Sequence, residues 1–255
     1  MAWDPELYHK FQAERFLPFE DLLGLIKVRP GMSVIDLGCG TGELTRRVAD
    51  HLPESRVLGI DSSPQMLEKA TAQARAGLTF ELRPIQEVSG PYDLVFSHAA
   101  IQWVDDHERL IPRLLSLVKP GGQLAVQLPS NHKHVTQTLL EEIAAGEPFA
   151  AALNGWRKSF PVLEVERYAE LLYAAGGREL TVFAKIYPHV LADADAIADW
   201  TSGTALVPYF ERLSALKDEF LKRYRQRLKE VYPNTPVFFG FKRILFAATR
   251  AAAGL

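Results

Sequence analysis

The sequence has almost no cysteine and no long apolar run. Only one of its 255 residues is a cysteine, Cys39, so an internal disulfide and any metal site built on paired cysteines are excluded. No stretch approaches the roughly 18 apolar residues of a membrane-spanning helix, and residues 1–6 lack the basic flank and apolar core of a signal peptide. We therefore expect a cytoplasmic protein without a metal or a membrane partner.

The chain also lacks an excess of charge of either sign. Lys and Arg total 29 against 31 Asp and Glu, a net charge of −2, so no general attraction draws it to nucleic acid. A hydrophobic fraction of 47% with 24% charged residues excludes a disordered chain. We expect a folded monomer that binds any anion through a local cluster of cations.

Short apolar runs alternate with helical periodicity over the first half of the chain. The pattern predicts strands at 34–37, 57–60, 78–82, 92–96 and 123–128, and helices at 43–51, 64–75 and 107–118. Strict alternation favours parallel strands joined by right-handed crossovers, with helices on both faces. The fold class is therefore a doubly wound α/β sheet.

The second half is less regular. It predicts a helical stretch that ends at 145, an aperiodic region up to 161, a helix at 165–175, a strand at 180–189, helices at 195–200 and 210–231, and a strand at 237–249. An aromatic helix at 5–25, interrupted near Pro18, precedes the core. The expected organisation is an N-terminal covering helix (1–30), a cofactor-binding core (31–130), an insertion (131–165), continued core (166–189), a helical lid insertion (190–236) and a C-terminal core strand (237–255).

The most informative motif lies where the first strand ends. Asp36-Leu37 leads into Gly38-Cys39-Gly40-Thr41-Gly42, after which a helix begins. Glycines let the backbone turn sharply and approach a ligand closely, with the helix N-terminus aimed at it. The G-x-G-x-G spacing differs from the G-x-G-x-x-G that seats a dinucleotide pyrophosphate, so nicotinamide binding is disfavoured.

Asp61 ends the second strand, about 20 residues after the glycines, where a carboxylate can accept hydrogen bonds from ribose hydroxyls. Its alternative role is that of a turn residue, because Ser62-Ser63-Pro64 is typical of a helix start. The glycine turn at the right distance favours the ribose role.

These motifs resemble the class I methyltransferases that use S-adenosylmethionine. Tyr92–Phe96 and Leu117–Gly122 also match that family, at its fourth strand and before its fifth. The resemblance implies a seven-stranded, mostly parallel Rossmann-like sheet in which the last strand runs antiparallel, and S-adenosylhomocysteine as the product. It places the cofactor on Asp36, Gly38, Cys39, Gly40, Asp61, Ser62, Met66, Ile85 and Gln86. His98 directly follows the fourth strand, at the edge where open α/β sheets bind ligands, and is a further cofactor candidate, with simple packing as its alternative role.

Two positions within this resemblance need comment. Many members carry an Asp after the third strand to bind the adenine amino group, whereas this chain has Pro84, so backbone groups or Gln86 must serve. Cys39 has no resolving partner and sits where the family needs a small side chain, which disfavours a nucleophile.

A longer, ordered set of segments resembles the trans-aconitate methyltransferase family. It includes Trp3-Asp4-Pro5, Ile101-Gln102-Trp103, Gln127-Leu128-Pro129 and Phe241–Phe246. The resemblance implies methylation of a carboxylate of a small polycarboxylic acid. Related sequences have an arginine just before the proline that is Pro208 here, whereas this chain has Val207 at that position. Candidate substrate-binding residues are Tyr8, Arg15, Trp103, Asn131, Tyr209 and Arg243.

This reaction requires no catalytic acid or base, because a carboxylate is ionised near pH 7 and is already the nucleophile. The substrate candidates have simpler alternative roles: Tyr8 in helix packing, Trp103 in the core, and the arginines as solvated cations. Two other functions stay open: methylation of another small acid or a cofactor precursor, and cofactor binding without catalysis, as in a sensor.

Overall fold

The computed structural model describes residues 12–252, with side chains from residue 16 onward. The strands are β1 (Ser33–Leu37), β2 (Arg56–Asp61), β3 (Leu78–Leu82), β4 (Tyr92–His98), β5 (Val118–Pro129), β6 (Gly177–Leu191) and β7 (Val237–Arg250). The helices are α1 (Gln12–Leu23), α2 (Glu43–His51), α3 (Pro64–Thr71), α4 (His107–Ser116), α5 (Val135–Ala144), α6 (Phe149–Leu153), α7 (Val165–Ala174), α8 (Ala194–Ser202), α9 (Val207–Leu213) and α10 (Lys217–Val231).

The strands form one seven-stranded sheet in the order β3-β2-β1-β4-β5-β7-β6. β1 to β5 pair in parallel, and β7 pairs antiparallel with β5. The central strands are buried along most of their length, as expected for a sheet covered on both faces. The predicted doubly wound, mostly parallel sheet with an antiparallel last strand is confirmed.

The chain divides into two compact units. The sheet unit consists of Leu17–Pro129, Pro161–Lys185 and the chain from Arg243 onward. Its core packs sheet residues such as Ile35 and Phe246 against Ile111 of α4 and Tyr168 of α7, all of them fully buried. This core holds the strand ends in place.

The helical unit contains Ser130–Phe160 and Ile186–Lys242. Phe220, Tyr224 and Leu228, spaced one turn apart on α10, are fully buried in its core. The Tyr224 hydroxyl also donates to the carbonyl of Thr136 on α5, at 3.2 Å. This unit therefore has an apolar core of its own.

Three predicted elements differ in the structure. The single helix at 210–231 is wrong, because Ser214 has a φ of 42° and separates α9 from α10. The region predicted to be aperiodic contains the short helix α6. Pro18 lies inside α1 rather than interrupting it.

Within residues 12–252, no helix is long and apolar enough to cross a membrane. The same residues contain no group of three or more His, Cys, Asp or Glu side chains arranged to hold a metal ion.

Candidate functional site

The predicted cofactor residues follow the strand ends at one edge of the sheet. Parallel pairing places Leu37 beside Ile60, and His98 beside Gln127. Because the carboxyl ends of parallel strands meet at one edge, the loops after β1, β2 and β4 share that edge, where open α/β sheets bind ligands.

Backbone hydrogen bonds shape the glycine turn. The amides of Gly38 and Cys39 both donate to the carbonyl of Ile60 at 2.8 Å, and the amide of Gly42 donates to the carbonyl of Cys39 at 3.0 Å. α2 then begins without a side-chain cap. The turn is thus fixed to the end of β2 by main-chain groups.

Gly38 and Gly40 have different surroundings. Both have positive φ, 78° and 55°, which favours glycine. A Cβ on Gly38 would lie 2.2 Å from the Cβ of Ala100, whereas a Cβ on Gly40 would meet nothing within 4 Å. Gly38 is therefore required by packing, and the open side of Gly40 gives a ligand room to approach the backbone.

Asp61 joins the turn to the following helix. Its Oδ2 accepts from the amide of Gly40 at 3.0 Å and its Oδ1 from the amide of Ser63 at 2.9 Å. Ser63, rather than Asp61, caps α3 by accepting from the amide of Met66 at 3.4 Å. A carboxylate has about four acceptor sites, so the turn role leaves acceptor sites for two ribose hydroxyls.

Asp36 lies beneath the turn as a buried carboxyl group, 3% exposed. Burial, and to a smaller extent the nearby charge of Asp61, raises the pKa of Asp36 to about 7. The hydrogen bond that Thr45 Oγ1 donates to Oδ2 at 2.6 Å lowers this pKa and so acts in the opposite direction. The hydrogen bond from Thr45 joins β1 to α2 below the glycine turn.

Cys39 is 7% exposed and packs against Leu67, Ala70 and Phe80. Burial raises the pKa of its thiol far above the ordinary value, and the charges of Asp36 and Asp61 raise it further. Because the thiolate is the reactive form, this environment argues against a nucleophilic role.

A short turn after β3, Ile85–Glu87, contains the two residues predicted to flank the adenine. Ile85 is half-buried and Gln86 is exposed. Two further cofactor candidates follow β2: Ser62 is exposed and Met66 is half-buried. The Arg113 guanidinium donates to the carbonyls of Ile85 (3.2 Å), Gln86 (2.8 Å) and Val88 (2.8 Å). No sequence pattern indicates this role of Arg113, because its partners lie 25 to 28 residues earlier in the chain.

Gln127 links two of the predicted residues. With its amide nitrogen donating to His98 Nε2 at 3.1 Å, its oxygen accepts from Arg243 Nη1 at 2.9 Å and from the amide of Leu128 at 3.2 Å. Arg243 is only 5% exposed, and its backbone pairs with Pro129 at the end of β5. The structure therefore connects a candidate cofactor residue, His98, with a candidate substrate residue, Arg243.

Trp103 lies on a short turn, Ile101–Trp103, after β4 and is 55% exposed. Its alternative as a core residue is therefore wrong. Buried His107 contacts this turn, because its Nε2 lies 2.9 Å from the carbonyl oxygen of Ile101. Its Nδ1 lies 2.5 Å from the Tyr168 hydroxyl.

Two predicted residues lie in the helical unit. Asn131 Oδ1 accepts from the amide of Lys242 at 2.8 Å. Tyr209 is 2% exposed, stacks on Phe220 at 5.1 Å and meets Trp156 edge-on at 5.2 Å. Burial raises the pKa of Tyr209 to about 12, and the Glu141 charge adds to this, so its hydroxyl stays protonated.

Tyr8 lies outside the described residues, and Arg15 is described only as part of the α1 backbone. Lys158 of the helical unit, which no sequence motif indicated, is partly buried beside Gln137 and Phe160. Nothing in its local sequence distinguishes it from a solvated lysine.

Comparison with known proteins agrees with this geometry. A family model described as "Methyltransferase domain" matches residues 29–176. The trans-aconitate 2-methyltransferase of Deinococcus radiodurans is 46% identical over 98% of this chain and 99% of its own length, and that of Variovorax paradoxus is 39% identical over 91% of each. Among solved structures, the YcgJ protein of Bacillus subtilis superposes with a TM-score of 0.63 at 11% identity, over 93% of this chain and all of its own. The chain belongs to the class I S-adenosylmethionine-dependent methyltransferases, in the trans-aconitate 2-methyltransferase family.

Proposed function

We propose that this protein transfers a methyl group from S-adenosylmethionine to a carboxylate of trans-aconitate, giving a methyl ester and S-adenosylhomocysteine. The 46% identity over almost the whole chain to a relative of that name carries the choice of acceptor. The glycine turn and Asp61 support the choice of methyl donor, since the open side of Gly40 and the spare acceptor sites of Asp61 fit an adenosine ribose.

The chain's own residues have binding and orienting roles in this reaction. S-Adenosylmethionine supplies an electrophilic methyl group, which a carboxylate oxygen takes as the carbon–sulfur bond breaks toward sulfur, with no proton transferred. Asp61 binds the ribose, Ile85 and Gln86 flank the adenine, and Arg243 binds the acceptor. Holding the reactants in line is the main contribution required of the protein.

A methyl-transfer screen tests the proposal. Purified protein is incubated with methyl-labelled S-adenosylmethionine and a panel of di- and tricarboxylates, and products are identified by mass spectrometry. We expect trans-aconitate to have the highest kcat/KM and its product to be a base-labile methyl ester. Transfer to an amine or phenol, or no transfer to any acid, would overturn the proposal.

The pH dependence provides a second test. Because the carboxylate is already ionised, the single-turnover rate at saturating acceptor should not rise with the ionisation of a base between about pH 6 and 9.

The expected cytoplasmic location and the expected monomeric state stay predictions. Light scattering measures the oligomeric state.

A further inference from the structure

Three neighbouring strands place His98, Gln127 and Arg243 on one face of the sheet. His98 and Gln127 are register partners in the parallel pair of β4 and β5, and Gln127 is the register partner of Leu245 in the antiparallel pair of β5 and β7. Side chains two residues apart on a strand point to the same face, so Arg243 is the diagonal neighbour of Gln127 on that face. All these residues belong to the sheet unit, and Gln127 lies between the other two functional candidates.

The amide of Gln127 can serve both neighbours in one orientation only. Arg243 Nη1 lies 2.9 Å from the amide oxygen, and a guanidinium can only donate hydrogen bonds. The same oxygen accepts from the amide of Leu128 at 3.2 Å, which leaves the nitrogen of Gln127 facing His98 Nε2 at 3.1 Å. Because Gln127 is fully buried, the reversed amide would set donor against donor away from water, which costs more than an ordinary hydrogen bond contributes.

This orientation selects one form of the His98 ring. A ring nitrogen that faces an N–H group must accept, so Nε2 carries no proton and the ring carries its single proton on Nδ1. Phe19 of α1 meets the ring edge-on at 5.6 Å, a contact that restrains the ring without distinguishing its two nitrogens. Arg243, which must donate at one end of the amide, thus makes His98 Nε2 an acceptor at the other end.

The two ends of this hydrogen-bonded chain have different candidate ligands. His98 ends β4 at the edge of the sheet where the glycine turn also lies, and it is a cofactor candidate. Arg243 is proposed to bind the acceptor carboxylate. The choice of tautomer decides whether Nδ1 of His98 donates or accepts, and a donor suits the oxygen atoms of a ligand. One buried amide therefore sets the hydrogen-bonding character of two site residues.

Resting on the proposed function for the role of Arg243, we propose that Gln127 is a positioning residue that holds His98 as the Nδ1–H tautomer and fixes the Arg243 guanidinium for acceptor binding. Gln127 acts through these two side chains.

Nitrogen NMR tests the tautomer on folded protein without any substrate. The chain contains seven histidines, so protein labelled with ¹⁵N-histidine is compared with His98→Gln to identify the His98 signals. At a pH well above about 6.5, where an ordinary histidine is neutral, we expect the wild type to show a protonated Nδ1 and an unprotonated Nε2. Gln127→Glu replaces the donor by an acceptor, so the proton should move to Nε2 and the two signals should exchange character.

A buried glutamine on the same strand provides the matched control. Gln123 is 6% exposed, accepts from the amide of Lys27 at 3.0 Å and donates to the carbonyl of Leu25 at 2.8 Å. Gln123→Met and Gln127→Met should both lose stability, but only Gln127→Met should lose the exclusive Nδ1–H form of His98. Unchanged His98 signals in Gln127→Glu, or an equal change in Gln123→Met, would overturn the inference.

Steady-state kinetics test the orientation of Arg243. Gln127→Met should raise the acceptor KM about 2- to 13-fold with little change in kcat, as for one ordinary hydrogen bond. Gln127→Glu should raise it further because its charge neutralises that of Arg243, and Gln123→Met should match the wild type. An unchanged KM in Gln127→Met would contradict the role toward Arg243. If the wild type methylates no acid, the proposed function fails, while the His98 signals still confirm or overturn the role of Gln127 toward His98.

Discussion

The glycine turn of the sheet unit and the Lys158 cluster of the helical unit stabilise charge in opposite ways. At the turn, the Asp61 carboxylate accepts from two backbone amides. In the cluster, the Lys158 ammonium lies against the neutral oxygens of Gln137 and Ala205 and the Phe160 ring, and no carboxylate of residues 16–252 lies within 4.0 Å of it. Main-chain donors thus satisfy the carboxylate at the turn, whereas burial of the ammonium in the cluster lowers the pKa of Lys158 to about 8.

The difference predicts that cofactor and acceptor binding can be lost separately. Substitutions at the turn should weaken cofactor binding and leave acceptor discrimination intact. Substitution of Arg243 should do the reverse. The expected effects on binding, and then those on stability, decrease from one substitution to the next.

Asp61→Ala should have the largest effect. It removes the acceptor of two ribose hydroxyls as well as the bonds to Gly40 and Ser63, so the affinity for S-adenosylhomocysteine should fall at least about 100-fold. Calorimetry measures this. Asp50→Ala removes a carboxylate from an exposed ion pair with Arg75 and should leave affinity unchanged. Unaltered binding in Asp61→Ala would exclude the ribose role.

Arg243→Ala tests the acceptor side of the sheet unit. Loss of one charge-assisted contact should raise the acceptor KM roughly 10- to 150-fold, while the affinity for S-adenosylhomocysteine barely changes. Steady-state kinetics and calorimetry measure the two quantities. Arg250→Ala, which removes an arginine bonded to the Ser116 and Val118 carbonyls, is the control for a lost structural arginine. An equal rise in KM there would contradict the substrate role of Arg243.

Asp36→Asn should change the pH dependence of stability. Because the pKa of Asp36 is raised from 3.8 to about 7, the folded state binds more protons than the unfolded chain between these values. Wild-type stability should therefore decrease as the pH rises from about 4 to about 7. The variant cannot ionise, so its advantage should grow across this window, to at most about 4 kcal/mol. Chemical denaturation at several pH values measures it.

Asp93 provides the comparison of opposite sign. Although burial opposes the change, hydrogen bonds from Lys119 and Ser33 lower its pKa to about 2. The wild type should therefore gain stability as the pH rises from about 2 to about 4, and Asp93→Asn should lack this gain. Identical pH profiles for the two Asn variants would contradict both assignments.

Gly40→Ala should have the smallest effect on stability, about 1–2 kcal/mol for a left-handed alanine. Gly31→Ala is the matched control, because Gly31 also has a positive φ, 71°, with nothing within 4 Å of an added Cβ. Both variants should lose similar stability in denaturation experiments. Only Gly40→Ala should bind S-adenosylhomocysteine more weakly, and equal binding would show that the cofactor does not approach Gly40.

The sequence predicted the glycine turn because its residues are close together in the chain. Residues 36–42 and Asp61 form two short segments at the ends of adjacent buried strands, so apolar periodicity was enough to bring them together. The same signal located every strand of the sheet.

The Lys158 cluster could not be predicted in this way. Its members Gln137, Lys158 and Ala205 come from distant parts of the chain with no shared pattern. The link through Gln127 was missed for the same reason, since burial and amide orientation bring it between His98 and Arg243. Apolar periodicity also does not indicate where one residue adopts a positive φ. Ser214 does so, and it ends a helix within a continuous helical pattern.

The bonds from Arg113 have a consequence for protein engineering. All three end on main-chain carbonyls of residues 85–88, so the path of that segment is independent of the side chains at Gln86 and Glu87, which are exposed. These two positions can be randomised at little cost in stability. Because the resemblance places Gln86 beside the adenine, we expect a library at these two positions to change nucleobase selectivity without unfolding the protein.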